Sequence, residues 1–216
     1  MAPGWNLGNF LDAFDENKIG ADIRETSWGN PIVVKELIEN VKNSGFNSIR
    51  IPITFEGCVE KTGDTYVVDE AWLTRIKEVV DMALDLDLYF MINVHHDSWI
   101  WLSAWDGNTQ SEEYIKFCAI WTQFAAYFKD YGEKLCFETI NEPQFNDNEG
   151  ENALTADDKL DIINKAAYDI IRSSGGNNDT RMIVLPTYNT NHEKDVQLYN
   201  LITNDLKVQD EQGNTI

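Results

Sequence analysis

Asn141-Glu142-Pro143 closes the apolar run Leu135-Cys136-Phe137-Glu138-Thr139-Ile140, placing a carboxylate where a buried strand gives way to a loop. These residue types suit proton transfer. Burial at a strand mouth raises a carboxyl pKa, a neighbouring amide can fix a substrate hydroxyl, and proline stops the strand. Other residues able to do chemistry fall at similar points. Ser48-Ile49-Arg50-Ile51-Pro52 sets an arginine at a strand mouth, either to hold a carboxylate ionised or as a structural salt bridge. Glu138, four residues before Glu142, shares its strand face if the alternation is regular. It is placed to point inward and pair with a basic group such as Arg50.

Asn93-Val94-His95-His96-Asp97 puts two histidines beside an acid. Metal ligation would need a further ligand at suitable spacing, and only His192 remains. Consecutive strand residues also point to opposite faces, so hydrogen bonding to substrate hydroxyls is the preferred reading of the pair. Trp28, Trp99, Trp101 and Trp105 lie in polar segments without helical spacing. Pyranose rings present flat C–H faces that stack on indole, so these tryptophans suit sugar subsites; the alternative is that they fasten long loops. Trp105, beside Asp106-Gly107-Asn108, reads as the most exposed of them.

The elements that must position these residues are short apolar runs alternating with amphipathic helices. Helical periodicity covers 33–44, 71–86, 111–131 and 156–173, and Gly45 closes the first as a C-cap. Strands are expected at 46–52, at 88–94, in the run ending at Glu142, and at 181–185. Strand ends near Asn6, Arg50, His95, Glu142 and Thr187 recur at a step of roughly 45 residues, a long βα repeat. Such alternation implies parallel strands and right-handed crossovers. The polar and aromatic residues collect after strand ends, where a (β/α) barrel builds its site. Trp5-Asn6-Leu7-Gly8-Asn9 is no phosphate-binding turn, which argues against a doubly wound sheet. Eight such units would need about 360 residues, and even a compact barrel needs roughly 250. At 216 residues the expectation is an α/β fold, a partial (β/α)8 TIM barrel of about five units.

With 17 basic and 37 acidic residues the net charge is −20, which excludes nucleic acid or an anionic membrane surface as partner. No run approaches the roughly 18 apolar residues of a membrane span. Cys58, Cys118 and Cys136 lack metal-ligand spacing, and the last two read as small buried hydrophobes.

Taken together, Gly4-Trp5-Asn6-Leu7-Gly8-Asn9, Glu25-Thr26-Ser27-Trp28-Gly29-Asn30-Pro31, Arg50-Ile51-Pro52, Asn93-Val94-His95-His96-Asp97 and Asn141-Glu142-Pro143 form an ordered set. In order and spacing it resembles family 5 glycoside hydrolases, the (β/α)8 cellulases and related endo-β-glucanases. Trp-Gly-Asn-Pro with His-His-Asp is similar to the branch holding endoglucanases, xyloglucanases and xylanases. The resemblance implies retaining hydrolysis of a β-glucan, secretion, and neither metal nor other cofactor. Glu142 would be the acid/base, Asn141 would bind the 2-hydroxyl, and Arg50 would support the nucleophile. His95 and His96 would line the −1 subsite, with Asn9, Trp28 and Trp99 also contacting substrate. Retention needs a second carboxylate about 5–5.5 Å from the first. In the family it ends the seventh strand, after a His-x-Tyr segment, and no counterpart stands here; Glu193 and Glu211 lie off any strand mouth. The expected organisation is a partial barrel over 1–191 followed by a helix and polar tail over 192–216. Open edges would favour a homo-oligomer, a dimer of half-barrels, and activity that is weak or dependent on it. The alternative is an inactive glucan-binding fragment.

Overall fold

The computed structural model describes residues 2–15, 24–146, 148, 153–191, 193 and 195–207. Of the helix and polar tail expected over 192–216, positions 192, 194 and 208–216, among them His192 and Glu211, lie outside the described residues. Five parallel strands form one sheet: β1 (Gly4–Asn6), β2 (Ser48–Ile51), β5 (Tyr89–Asn93), β6 (Leu135–Glu138) and β7 (Ile183–Val184), in that spatial order. Between β2 and β5 lies an antiparallel hairpin, β3 (Val59–Thr62) and β4 (Thr65–Val68). The crossovers are α1 (Lys35–Asn43), α2 (Glu70–Asp85), α4 (Glu112–Phe128) and α5 (Ala156–Ser173); α3 (Asp97–Ile100) is a single turn and α6 (Asp195–Asn200) follows β7. Strand order follows chain order, as successive right-handed βα units require.

Each helix forms for a local reason. In α2, Trp72, Leu73, Ile76, Val79, Val80 and Ala83 make one buried stripe, and the Asp69 carboxylate caps the helix by accepting from Ala71 N–H at 2.9 Å. α5 starts on a reciprocal capping box between Thr155 and Asp158. Gly45, at φ +92°, follows α1 and donates to the Lys42 carbonyl, the left-handed C-terminal stop expected there.

Alternation on the strands then divides the sheet into two faces. Ile49, Ile51, Phe90, Ile92, Leu135 and Phe137 join the helix stripes in one core. The opposite face carries Asn6, Arg50, Asn93 and Glu138, which bond to one another. Register places Asn6 beside Arg50 and Asn93 beside Glu138, so the polar residues stack in adjoining layers at the C-terminal ends of the strands. The strands are shorter than expected. β6 ends at Glu138, and Thr139 and Asn141 extend it only by isolated bonds to the Val184 and Val94 carbonyls, so Glu142 stands beyond the regular strand.

The hairpin was not anticipated. Its signal was present: Gly63-Asp64, with Gly63 at φ +62°, is a two-residue turn between Thr62 and Thr65. Among the described residues, no helix is long and apolar enough to cross a membrane. Cys58 and Cys136 are buried and Cys118 half-buried, all three as free thiols.

Candidate active site

Arg50 is the centre of the strand mouth. Its Nε donates to Glu138 Oε2 at 2.8 Å, its Nη1 to Asn6 Oδ1 at 3.0 Å and its Nη2 to Asn141 Oδ1 at 2.8 Å. Glu138 is therefore the inward partner of Arg50 that its spacing from Glu142 suggested. Burial pushes the Glu138 carboxyl above the ordinary range, the Arg50 charge and its hydrogen bond oppose that, and Glu142 adds to the rise.

Glu142 itself departs from expectation. It is exposed rather than buried, and its φ of +39° lies in the left-handed region. The chain leaves the sheet at Asn141, which is buried, and the reversal at Glu142 turns that side chain outward ahead of Pro143. The neighbours thus differ: the amide is held by Arg50, and the carboxylate faces solvent.

The histidines also depart from the strand rule. β5 stops at Asn93, so His95 and His96 lie in a turn, and their rings meet with centroids 4.5 Å apart. His95 N–H donates to the Ile53 carbonyl at 2.7 Å and His96 N–H to Thr54 Oγ1 at 3.2 Å. The acid next to them in sequence is not the acid next to them in space. Asp97 accepts from Phe55 N–H and from Trp101 Nε1, each at 2.8 Å, and stands wholly buried as a structural staple with its carboxyl pushed up by burial. Asp12, which sequence reasoning missed, fills the position, with Oδ2 3.9 Å from His95 Nε2 and 3.3 Å from His96 Nε2. Its one signal is an acid isolated between Leu11 and Ala13.

Asp12, His95 and His96 bring their ligand atoms within 4.8 Å of one another, a spacing a metal ion would accept. The proton positions do not fit one. Asn93 Nδ2 donates to His95 Nδ1 and Trp99 Nε1 donates to His96 Nδ1, each at 2.9 Å. In neutral rings both protons then sit on Nε2, facing Asp12, where a cation would need lone pairs. Burial, with the nearby charges of Arg50 and His96, pushes the His95 pKa down to about 2, which favours the neutral ring.

Aromatic residues flank this centre. Phe14, Trp28, His96 and Trp99 form one cluster, with Trp28 and Trp99 rings 5.3 and 5.4 Å from His96. The two indoles remain 43% and 48% exposed, offering flat apolar faces beside polar groups. Trp28 Nε1 donates to the Phe14 carbonyl, and two residues on, Asn30 donates to the carbonyl of Asn9, an exposed residue at φ +67°. Asn9 is thereby tied to the Trp28 loop rather than to the Arg50 network. Glu25, at the head of the same motif, is buried and structural, accepting from Val33 N–H and Arg75. Trp101 is half-buried under Lys116. Trp105 is 1% exposed and stacked on Tyr114, so the expectation that it is the most exposed indole is wrong. Its Nε1 donates to the Asn108 carbonyl, three residues on, so the polar tripeptide that suggested exposure instead folds back over the ring.

Polar side chains on successive strand ends thus lie on one side of the sheet with a carboxylate beside a clamped amide and two exposed indoles. Residues 13–211 match the family model described as Cellulase (glycosyl hydrolase family 5). The chain belongs to glycosyl hydrolase family 5. It is 43% identical over 205 residues to endoglucanase B of Paenibacillus lautus, covering 94% of this chain and 35% of that protein. It is 42% identical over 211 residues to cellulase/esterase CelE of Acetivibrio thermocellus, covering 95% of this chain and 24% of that one. Among solved structures it resembles the full-length tri-modular endo-β-1,4-glucanase B of Bacillus halodurans, with TM-score 0.82 and 43% identity over 94% of this chain and 36% of that one. It also resembles a xyloglucan-specific family 5 endo-β-1,4-glucanase from a metagenomic library, with TM-score 0.75 and 39% identity over 86% and 54%. The chain thus spans about a third or less of the two curated relatives' length. The five-stranded sheet with its helices is a partial family 5 (β/α)8 barrel.

Proposed function

We propose that this chain carries the acid/base side of an endo-β-1,4-glucanase site, acting on internal β-1,4 bonds of a cell-wall glucan. The observation that carries the reading is the 2.8 Å bond from Arg50 to Asn141 Oδ1 beside the outward-turned Glu142. It aims the amide N–H groups of Asn141 away from Arg50, toward a sugar hydroxyl, and leaves Glu142 free at the cleft. In this role Glu142 protonates the departing glycosidic oxygen and then takes a proton from water. His95 and His96 line the −1 subsite, and Trp28 and Trp99 stack on flanking sugars, with Asn9 at their edge. Family relatives named endoglucanase and cellulase support the substrate class.

A retaining displacement needs a second carboxylate close to the first. Glu138 is not available for it, because its Oε2 is held by Arg50 and Asn93. In this reading the nucleophile comes from outside these residues, from another polypeptide segment or a second copy of the chain. Trp5, Met182 and Val184, exposed at 47%, 56% and 36% on or beside the two edge strands, support association there. A polymer too large to enter a cell places the activity outside it. The exposed Trp28–Trp99 pair favours one other reading, a glucan-binding chain without catalysis. Wild type and Glu142→Gln compared for hydrolysis and for cellotetraose affinity separate the two. Hydrolysis lost with affinity kept supports the enzyme, and no hydrolysis in either supports the binding chain. Equal hydrolysis in both removes Glu142 from the mechanism.

A further inference from the structure

Several N–H donors converge on one oxygen of Glu138. Oε2 accepts from Arg50 Nε at 2.8 Å and from Asn93 Nδ2 at 2.9 Å, and lies 2.7 Å from Arg50 Nη2. Glu138 is 8% exposed and its Oε2 is taken up by these donors, so its effect on a sugar must pass through them. Asn93 is fixed from both ends. Its Oδ1 accepts from Ile53 N–H at 3.2 Å, so the amide cannot turn over without setting N–H against N–H. Its Nδ2 carries two hydrogens, one for Glu138 and one for His95 Nδ1 at 2.9 Å. A ring nitrogen that receives a hydrogen presents a lone pair, so the His95 proton sits on Nε2. On the other arm, Arg50 Nη2 holds Asn141 Oδ1.

We infer that Glu138 is a positioning residue that sets two donors at once, the Nε2–H of His95 through Asn93 and the amide N–H of Asn141 through Arg50. The consequence for sugar binding rests on the proposed function; the consequence for the histidine does not. The groups facing His95 are Asp12, His96, Arg50 and Asn93, and those facing Glu138 are Arg50, Asn93 and Glu142. None of them offers His95 Nδ1 an acceptor for a hydrogen.

Two-bond ¹H–¹⁵N spectra of the full chain, with its three histidines assigned, report which ring nitrogen is protonated. Wild type is expected to show His95 as the neutral Nε2–H form, unchanged from about pH 7 down to about pH 5. Glu138→Leu removes the acceptor, releases Asn93, and turns His95 into a mixture of tautomers, with cellotetraose affinity falling about tenfold or more. Glu138→Gln, whose amide oxygen can take the place of Oε2, restores the Nε2–H form. Arg50→Lys leaves the Asn93 arm intact, so it keeps the His95 tautomer while weakening oligosaccharide binding. An unchanged His95 tautomer in folded Glu138→Leu overturns the inference. If that variant does not fold, the wild-type spectrum decides: a neutral His95 ring with its proton on Nδ1 overturns it as well. If wild type binds no cellotetraose, the proposed function fails while the spectra still decide the role of Glu138.

Discussion

At the scale of single residues, the site works by contrast between neighbours. Asn141 is buried and bonded to Arg50, whereas Glu142 is exposed at a left-handed backbone position. Trp99 and Trp105 make a similar pair, six residues apart, one 48% and the other 1% exposed. Their alanine variants should therefore fail in different assays. Trp99→Ala is expected to weaken cellotetraose binding about tenfold in calorimetry with little change in melting temperature. Trp105→Ala is expected to cost about 3–5 kcal/mol in urea unfolding, because it empties a core position stacked on Tyr114. Sequence alone could not sort these indoles, since both stand in polar loops. The fold decides which loop is covered: buried Lys159 donates to the carbonyls of Trp105 and Asn146, drawing the Trp105 loop and the loop after Glu142 together.

At the scale of elements, helices and strand order were readable because apolar periodicity is strong and local. The stripes of α2, α4 and α5 needed no partner to be recognised, and Gly45 marked its own helix end. Strand ends were less readable. Glu142 was expected on a strand because the apolar run continues to Ile140, but Thr139 Oγ1 bonds Asn164 and the Thr139 carbonyl accepts from Trp121, so α4 and α5 take over where the ladder stops. Asp12 escaped notice for another reason: it reaches His95 across 83 positions of sequence, a distance at which no local pattern speaks. The capping box gives an element-scale prediction. Asp158 accepts from Thr155 N–H at 2.8 Å and from its hydroxyl at 2.7 Å, and these bonds hold its carboxyl below the ordinary 3.8. A lowered folded pKa contributes stability present above 3.8 and lost as pH falls through the folded value. Asp158→Ala should thus destabilise the chain by about 1 kcal/mol at neutral pH, and the gap from wild type should close under strongly acidic conditions in pH-dependent melts.

At the scale of the whole molecule, both edges of the sheet carry apolar side chains. β1 has Trp5, β7 has Val184, and Met182 lies one residue before β7. Unpaired parallel edges favour association. Sedimentation at micromolar concentration is expected to show species heavier than the 24.7 kDa chain, and Val184→Lys to return them toward that mass. A single 24.7 kDa species at all concentrations would remove self-association from the account. The central claim, that Glu142 works with a carboxylate supplied from outside these residues, is tested most directly by turnover. Carboxymethylcellulose hydrolysis by the purified chain should be measured beside an intact family 5 endoglucanase under the same conditions. A rate more than about tenfold below the intact enzyme, with cellotetraose binding retained, is expected, and a rate within about tenfold would contradict the claim.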